Sequence, residues 1–274
     1  SYCNAYPVFV DVDRDTLGMS PTALLGFLEA HAEVRGDGCW NLRTGRRISA
    51  CVPMHTFGIP CRIHEIQEIC REWRISLIED TAEALGSYAK GRHVGTFGAI
   101  GAFSFNGNKI VTSGGGGMIV TNDIEIGNLG KHLTTTAKLA HTYEYVHDKV
   151  GYNYRLPNLN AALVCAQLEQ LELFIASKRE MAKSYADFFF SNGIKFKQEP
   201  VNTFSNYWLM SIELENLKER NAFLKATNES KIMTRPIWQL MYRLPMYQHC
   251  YRDNQKNAEF LEERIVNIPS SVRL

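Results

Sequence analysis

The chain has 274 residues, of which 45% are hydrophobic and 22% charged, and its formal net charge is +1. This length exceeds the usual size of one domain and predicts one large domain or two unequal ones with a sizeable core. A near-neutral charge gives no reason to expect nucleic acid or an anionic membrane as a partner. The longest apolar runs, such as residues 161–166, are too short to span a bilayer.

Cysteine usage indicates the compartment. The sequence has seven cysteines, scattered along its length and without a C-x-x-C pair. This pattern predicts neither a disulfide framework nor a zinc knuckle, and we expect no metal site. The N-terminus also lacks the basic and then apolar stretch of a secretory signal peptide. We therefore expect a cytoplasmic protein with reduced thiols.

The first half of the chain alternates strand and helix patterns. Apolar strand patterns cover residues 7–12, 48–54 and 75–78. Helix patterns begin at Ser20, a capping residue followed by proline, and at Arg62, where the apolar residues recur on one face. Strand, helix and strand at this spacing predict right-handed crossovers in a largely parallel sheet.

The second half predicts a different organisation. Its predicted elements are a hairpin with its turn at 90–92, strands over 99–103 and 118–121, a long helix over 160–189, a strand over 207–214, a helix over 217–226 and a strand over 231–234. We expect a large α/β domain over residues 1–157, and a linking helix with a small α+β domain over 158–274. Because a buried-strand pattern starts almost at the first residue, we expect the large domain to be incomplete at its N-terminus.

A lysine and an acid follow two of the apolar strands. Lys109 comes after the strand over 99–103, in glycine-rich surroundings, and Asp80 ends the strand over 75–78. In parallel sheets, ligands gather beyond the carboxyl ends of the strands. Lys109 can form an imine with pyridoxal phosphate (PLP), and Asp80 can form a salt bridge with the pyridinium nitrogen. The pair therefore predicts a PLP enzyme.

Each of these residues also has a structural interpretation. A lysine is most often a solvated surface charge, and the glycine run 114–117 is typical of a hairpin connection. Asp80 and Glu83 have the spacing of a helix capping box. In the functional interpretation, Glu83 faces the phenolic oxygen of the cofactor ring. Ser104, five residues before Lys109, donates a hydroxyl hydrogen bond to the cofactor phosphate.

Several motifs occur in a fixed order along nearly the whole chain. They are PVFVDVD (7–13), DTL (15–17), PMHTFG (53–58), EDTAEALGS (79–87), GTFG (95–98), SFNGNK (104–109) and GYNYR (151–155). Their order and spacing resemble the sugar-nucleotide aminotransferases, the DegT-like branch of the fold-type I PLP enzymes. Details at 134–138, 143–148, 233–238 and 267–272 resemble the LegC-like subgroup most, which aminates UDP-4-keto-6-deoxy-N-acetylhexosamines.

The resemblance implies a role for each site residue. Lys109 would bind PLP covalently, Asp80 would pair with the ring nitrogen, and Glu83 would lie near the ring hydroxyl. Ser104 would bind the phosphate, and Asn153 would reach the phosphate of the neighbouring subunit's cofactor. A homodimer would then be the functional unit. The implied fold is a mostly parallel sheet flanked by helices, with a smaller α+β C-terminal domain.

The resemblance also implies the reaction. The enzyme would transfer an amino group from glutamate to C4 of a UDP-linked 4-keto-6-deoxy-N-acetylhexosamine, for bacterial surface polysaccharides. A related dehydratase branch has histidine in place of Lys109, so the lysine favours transamination. A PLP-dependent keto-sugar dehydratase and a non-catalytic remnant of the fold remain open alternatives. A nicotinamide dehydrogenase is not predicted, because Gly95, Gly98 and Gly101 do not have the G-x-G-x-x-G spacing.

The C-terminal part adds three predicted substrate contacts. These are Arg235, Trp238 and Asn206, for which a surface charge, a core aromatic residue and a turn amide are equally good interpretations. His55 follows the strand over 48–54, and an isolated histidine is most often structural. Members of the family carry a further N-terminal portion that supplies part of the phosphate site and an aromatic residue stacked on the ring. We expect this portion to be missing from the present sequence.

Overall fold

The computed structural model describes residues 2–273. The α-helices within this range are α1 (Pro21–His31), α2 (Ile63–Glu72), α3 (Ile124–Thr134), α4 (Asn158–Leu168), α5 (Leu171–Ser191), α6 (Leu217–Glu229) and α7 (Lys256–Glu262). The strands are β1 (Val8–Phe9), β2 (Ala32–Arg35), β3 (Gly38–Asn41), β4 (Arg47–Ile48), β5 (Ala50–Cys51), β6 (Ser76–Asp80), β7 (Tyr88–Ala89), β8 (Arg92–His93), β9 (Ile100–Ser104), β10 (Gly117–Val120), β11 (Lys195–Phe196), β12 (Thr203–Phe204), β13 (Met210–Glu213), β14 (Arg235–Pro236), β15 (Tyr251–Arg252) and β16 (Ile265–Ile268).

A four-stranded sheet in the order β10-β9-β6-β5 positions the predicted site. Strands β5, β6 and β9 run parallel, and β10 pairs antiparallel with β9 at the edge. Helix α2 connects β5 to β6 and packs Ile63, Ile66 and Cys70 into the core beside the sheet. The predicted α/β architecture with parallel strands is confirmed.

The two faces of this sheet are covered differently. Side chains alternate along a strand, so Leu77 and Glu79 on β6 and Phe103 on β9 point to the buried face. Asp80 pairs with the residue two positions before Ser104, so both side chains lie on the opposite, half-buried face. The sheet therefore presents two of the predicted site residues on its more open side.

A second four-stranded sheet forms the C-terminal part, in the antiparallel order β11-β13-β16-β14. Its core includes Met181 and Phe189 of α5 together with Met210 and Ile212 of β13. A further cluster contains residues from both parts of the chain, among them Phe57, Ile110, Trp208 and Ile265. This cluster borders the candidate site.

The prediction of one long helix over 160–189 is wrong, because two helices, α4 and α5, meet there at a bend of 56°. Their buried residues belong to different clusters. Val164 of α4 packs with Phe105 and Val111, whereas Phe174 and Ile175 of α5 pack in the cluster that borders the site. A single straight helix would present these residues to only one of the two surroundings.

No single helix between residues 2 and 273 is long and apolar enough to cross a membrane. The bent pair α4–α5 meets the length and composition criterion only when the two helices are taken together.

Other local predictions have mixed outcomes. The hairpin is confirmed, and its turn residues Lys90 and Gly91 have the positive φ values, 48° and 78°, that such turns require. The strand predicted over 231–234 is wrong, since Lys231 has φ 60° in a turn and the strand begins at Arg235. The small antiparallel sheet β2-β3-β4 was not predicted; its short strands lack a long apolar run.

Candidate active site

Glu79, the residue before Asp80, is fully buried beneath the site. Its Oε1 accepts hydrogen bonds from the backbone N–H groups of Phe97 (2.6 Å) and Gly98 (2.8 Å). Its Oε2 accepts from the N–H of Gly95 (2.7 Å) and from Nε2 of His55 (3.2 Å). Burial alone would raise the pKa of Glu79, but these hydrogen bonds lower it below its usual value. Glu79 therefore fixes the GTFG segment to the end of β6.

His55 has a structural role, as expected for a histidine that is isolated in the sequence. Its side chain is completely buried, and its Nδ1 accepts a hydrogen bond from the backbone N–H of Cys61 at 3.2 Å. The ring proton therefore belongs on Nε2, which donates to Glu79. Both ring nitrogens have partners within the protein, so His55 holds the chain around Glu79 in place.

Asp80 ends β6 with its side chain half-buried. Its Oδ1 accepts the backbone N–H of Ala82 at 3.1 Å, as in an Asx turn. Residues 81–87 form turns and contain no helix, so the interpretation of Asp80 and Glu83 as a helix capping box is wrong. The carboxylate lies at the carboxyl end of a parallel strand, where ligands of such sheets bind.

Glu83 is 7% exposed and is oriented by a strained backbone turn. Phe57, in the 3₁₀ turn Thr56–Gly58, has φ 59° and donates its N–H to Oε2 of Glu83 at 2.7 Å. A left-handed conformation is unusual for a bulky residue and is found where surrounding structure imposes it. The other oxygen, Oε1, lies 3.7 Å from Nζ of Lys109. The turn at Phe57 thus directs Glu83 towards the lysine.

The surroundings of Glu83 favour its neutral form. Burial raises the pKa of this carboxyl to about 7, and the nearby Asp80 acts in the same direction. The hydrogen bond from Phe57 and the ammonium of Lys109 oppose this shift without cancelling it. Glu83 can therefore hold or release a proton near neutral pH beside the amine.

Lys109 lies in a turn beyond β9, where its backbone N–H binds the carbonyl of Asn106 at 3.0 Å. Its side chain is 13% exposed, so the interpretation as a solvated surface charge is wrong. Nζ lies between Oε1 of Glu83, at 3.7 Å, and the ring of Trp208, whose centroid is 3.9 Å away. The amine is therefore confined at the edge of the sheet that carries Asp80.

Ser104 ends β9 on the same face as Asp80. Its Oγ accepts the backbone N–H of Asn106 at 3.3 Å, and its hydroxyl hydrogen can still be donated to a ligand. The glycine run 114–117 ends the loop between β9 and β10, with Gly117 as the first residue of β10, and the carbonyl of Gly116 accepts the N–H of Phe105 at 3.0 Å. The hairpin-connection interpretation of this run is confirmed.

Asn153 lies apart from this group. It forms an isolated antiparallel bridge with Thr135, and its side chain is exposed. The surrounding segment exposes many large apolar side chains: Leu139, Tyr143, Tyr145, Val146, Val150, Tyr152, Tyr154, Leu159 and Leu163. An exposed apolar surface of this kind is typical of an interface with another protein.

The three predicted substrate contacts have different environments. Asn206 is fully buried, and its Nδ2 donates to the carbonyls of Glu83 and Leu85, both at 2.9 Å. It is therefore a structural amide, and its prediction as a substrate contact is wrong. The adjoining turn needs Gly58, at φ 88°, because a Cβ there would lie 1.8 Å from Oδ1 of Asn206. The other two residues, Arg235 and Trp238, remain accessible.

Trp238 is 51% exposed and contacts the aromatic residues of the site. Its ring centroid lies 5.4 Å from that of Phe57 and 6.5 Å from that of Trp208, nearly parallel to the latter. Arg235 is exposed and donates to the carbonyl of Thr234 at 3.0 Å. Trp238 therefore lies beside the aromatic residues of the site with half of its surface exposed, and its interpretation as a core aromatic residue is wrong.

Sequence analysis did not identify Trp208 or Phe57 as site residues. Trp208 lies about 100 positions from Lys109 in the chain, and nothing in its own segment indicates that contact. Phe57 falls within the PMHTFG motif, which gives a signal, but its role depends on a backbone conformation that the sequence does not reveal.

The chemistry of this group fits PLP. The amine of Lys109 can bind an aldehyde, the carboxylate of Asp80 can pair with a ring nitrogen, and the hydroxyl of Ser104 can bind a phosphate oxygen. Glu83 adds a carboxyl group that can share a proton with a phenolic oxygen. Among residues 2–273, no cluster of three or more histidine, cysteine or acidic side chains is arranged to hold a metal ion.

Comparison with known proteins extends this picture. The model of the DegT/DnrJ/EryC1/StrS aminotransferase family matches residues 1–274. The chain is 36% identical over 269 residues to the GDP-perosamine synthase of Escherichia coli O157:H7, covering 98% of this chain and 69% of that protein. It is 34% identical over 274 residues to EpsN of Bacillus subtilis strain 168, which is named as a pyridoxal phosphate-dependent aminotransferase, covering 98% and 68%.

Solved structures agree with these relatives. A DegT DnrJ EryC1 StrS aminotransferase from Brucella abortus superimposes with a TM-score of 0.84 at 27% identity, covering 97% of this chain and 68% of that one. The predicted fold of a PLP aminotransferase is thereby confirmed, as is PLP as the cofactor of the family. The predicted likeness to the LegC-like subgroup stays a prediction.

Proposed function

Because this chain belongs to the DegT/DnrJ/EryC1/StrS aminotransferase family, we propose that it transfers an amino group from glutamate to C4 of a nucleotide-linked 4-keto-6-deoxy sugar. Its residues 109, 80, 83 and 104 would form the PLP site. The products would serve the synthesis of bacterial surface polysaccharides. We also propose that it works in the cytoplasm, which its seven free cysteines support.

The observation that carries this proposal is the confined amine of Lys109. It lies between a carboxyl group and an aromatic face, at the carboxyl edge of parallel strands, with Asp80 on the adjacent strand end. A lysine this close to a carboxyl group of raised pKa is suited to both covalent binding and proton transfer. A solvated surface lysine would lack both the confinement and the neighbouring carboxyl group.

PLP, when bound, supplies an electron sink that acidifies the substrate carbon attached to it. Asp80 would keep the ring nitrogen protonated, because a carboxylate beside that nitrogen favours its charged form. Lys109, once free, would act as the general acid and base of a 1,3-proton shift. It would take the proton from the substrate carbon and deliver it to the second carbon of that shift. Glu83 would share a proton with the ring hydroxyl, and Ser104 would donate to the phosphate.

We further propose that the functional unit is a homodimer in which Asn153 contacts the phosphate of the partner's cofactor. The exposed position of Asn153 and the apolar side chains around it support this arrangement. We propose a large domain over residues 1–157, and a linking helix with a small domain over 158–274. The apolar segment 139–163 would then lie at the junction of these two parts.

The nucleotide is the least constrained part of the substrate. The LegC-like details of the sequence favour a UDP-linked 4-keto-6-deoxy-N-acetylhexosamine. In contrast, two relatives, from Escherichia coli O157:H7 at 36% identity and from Vibrio cholerae at 34%, are named GDP-perosamine synthase. Trp238, half-exposed beside Trp208, could stack on a flat ring of the substrate. We retain the UDP sugar as the proposed substrate and the GDP sugar as the competing one.

A panel assay tests the proposal. The intact chain with PLP is incubated with glutamate and UDP- or GDP-linked keto sugars, and the sugar and keto-acid products are quantified. We expect one amino sugar for each glutamate consumed, with the UDP sugars preferred. Sugar loss without glutamate consumption would instead identify a dehydratase, and lack of PLP binding would identify a non-catalytic remnant.

A further inference from the structure

Trp208 contacts both Lys109 and the residue before it. The centroid of its ring lies 3.9 Å from the lysine Nζ, and its Nε1 donates to the carbonyl of Asn108, the preceding residue, at 2.7 Å. Trp208 is only 4% exposed, and a desolvated aromatic face attracts an ammonium more strongly than an exposed one. One side chain thus holds both the amine and the turn that carries it.

Hydrogen bonds to its backbone fix the position of Trp208. Its backbone N–H donates to Oδ1 of Asn206 at 2.8 Å, and its carbonyl accepts from Nζ of Lys178 at 3.1 Å. Lys178, on α5, is 4% exposed and also donates to the carbonyls of Tyr207 and Ser270. These buried partners fix the backbone of Trp208, and the bond from its Nε1 to Asn108 together with its burial keeps the indole beside the lysine.

We propose that Trp208 is a positioning residue that holds the amine of Lys109 inside the site whenever it is not bonded to the cofactor. This inference rests on the proposed function, in which Lys109 becomes free during each turnover. Glu83 lies 3.7 Å from the same amine, so the indole face and the carboxyl group together define where it rests. Without the indole, the flexible lysine side chain would have access to many other rotamers.

The reactivity of Lys109 towards acetic anhydride tests this inference. The full chain without cofactor is acetylated at low reagent concentration, and the rate at each lysine is measured by peptide mass, with exposed lysines as internal standards. An amine on a side chain that is 13% exposed and confined against an aromatic face reacts slowly with a reagent in solution. Trp208→Leu should therefore raise the rate at Lys109 about tenfold, while the rates at exposed lysines stay constant.

Two further variants separate positioning from general loosening. Trp208→Phe keeps an aromatic face and loses the N–H, so it should raise the rate at Lys109 about threefold or less. Trp73→Phe changes a tryptophan that packs on the core beside α2, and it should leave the rate unchanged. Thermal unfolding midpoints of all variants are compared, and Trp208→Phe still gives a result if Trp208→Leu does not fold.

The outcomes distinguish the inference from the proposed function. Equal Lys109 rates in the native chain and in Trp208→Leu, at matched thermal midpoints, would overturn the inference. Added PLP should protect Lys109 from acetylation in the native chain. Failure of that protection would overturn the proposed function and, with it, the role of Trp208 in turnover. This holds even if Trp208→Leu changes the acetylation rate of the cofactor-free chain as expected.

Discussion

Glu79 and Asp80 are adjacent acids at the end of one strand, and their surroundings differ completely. Glu79 is buried and accepts four hydrogen bonds, three from backbone N–H groups and one from His55. Asp80, on the half-buried face, accepts one backbone N–H within the chain. Strand alternation alone separates them, since successive side chains point to opposite faces.

The difference separates residues that hold the site together from residues left available for chemistry. A carboxylate whose oxygens are all occupied stabilises the fold and has no capacity for a ligand. Asp80, Glu83 and Lys109 have fewer partners among the described residues, and a cofactor would supply the remaining ones. Substitutions in the two groups should therefore have different effects on stability and turnover.

The largest effect, on turnover, is expected from a substitution among the residues that are available for chemistry. Lys109→Ala should lower turnover at least about 10³-fold, because it removes both the covalent attachment point and the proton-transfer group. The free energy of unfolding should change by about 2 kcal/mol or less, because the variant loses one carboxyl contact at 3.7 Å and one contact with an aromatic face. Steady-state assays and urea unfolding measure the two quantities. Lys218→Ala, at an exposed position on α6, is the control and should change neither.

Glu79→Gln should affect stability. The amide keeps the shape but directs an NH₂ group at backbone N–H donors, which leaves buried donors unpaired. We expect a loss of about 3 kcal/mol in the free energy of unfolding, measured by urea denaturation at pH 7. A loss below about 1 kcal/mol would show that the hydrogen bonds around Glu79 contribute little to stability.

Asp80→Asn should lower turnover and leave stability nearly unchanged, in contrast to Glu79→Gln. The amide oxygen can still accept the N–H of Ala82, so stability should change by less than about 1 kcal/mol. Turnover should fall about 10²-fold, because an amide does not keep the cofactor ring nitrogen protonated. If Asp80→Asn destabilises the protein as much as Glu79→Gln does, the proposed division between the two acids is wrong.

Glu83→Gln has the smallest expected effect, on the pH dependence of stability. The native pKa of about 7 lies above the ordinary value of 4.5, so between these pH values the native state holds a proton that the unfolded chain has lost. The free energy of unfolding therefore falls as pH rises through this window, by on the order of 2 kcal/mol. Unfolding curves at pH 5 and pH 8 should show that this fall is reduced in Glu83→Gln, and an unchanged fall would contradict the assignment.

The sequence predicts the site best where function depends on the ends of strands. Asp80 and Ser104 end apolar strands that the sequence predicts, and the half-buried face of the sheet carries both. Tertiary contacts were harder to predict. The contact of Trp208 with Lys109 joins distant segments, and the positive φ of Phe57 is imposed by its surroundings rather than by the local sequence. The bend between α4 and α5 was also not predicted, since the apolar pattern continues across it while Val164 and Phe174, on its two sides, pack in different clusters.

The central claim is that Lys109 is the amine that binds the cofactor. The most direct measurement is to add PLP to the intact chain, reduce with borohydride, and locate the cofactor mass by peptide mapping. We predict a single labelled lysine, Lys109, and loss of the long-wavelength absorbance of the PLP complex in Lys109→Ala. Labelling of a different lysine, or an absorbance band that survives in Lys109→Ala, would contradict the account.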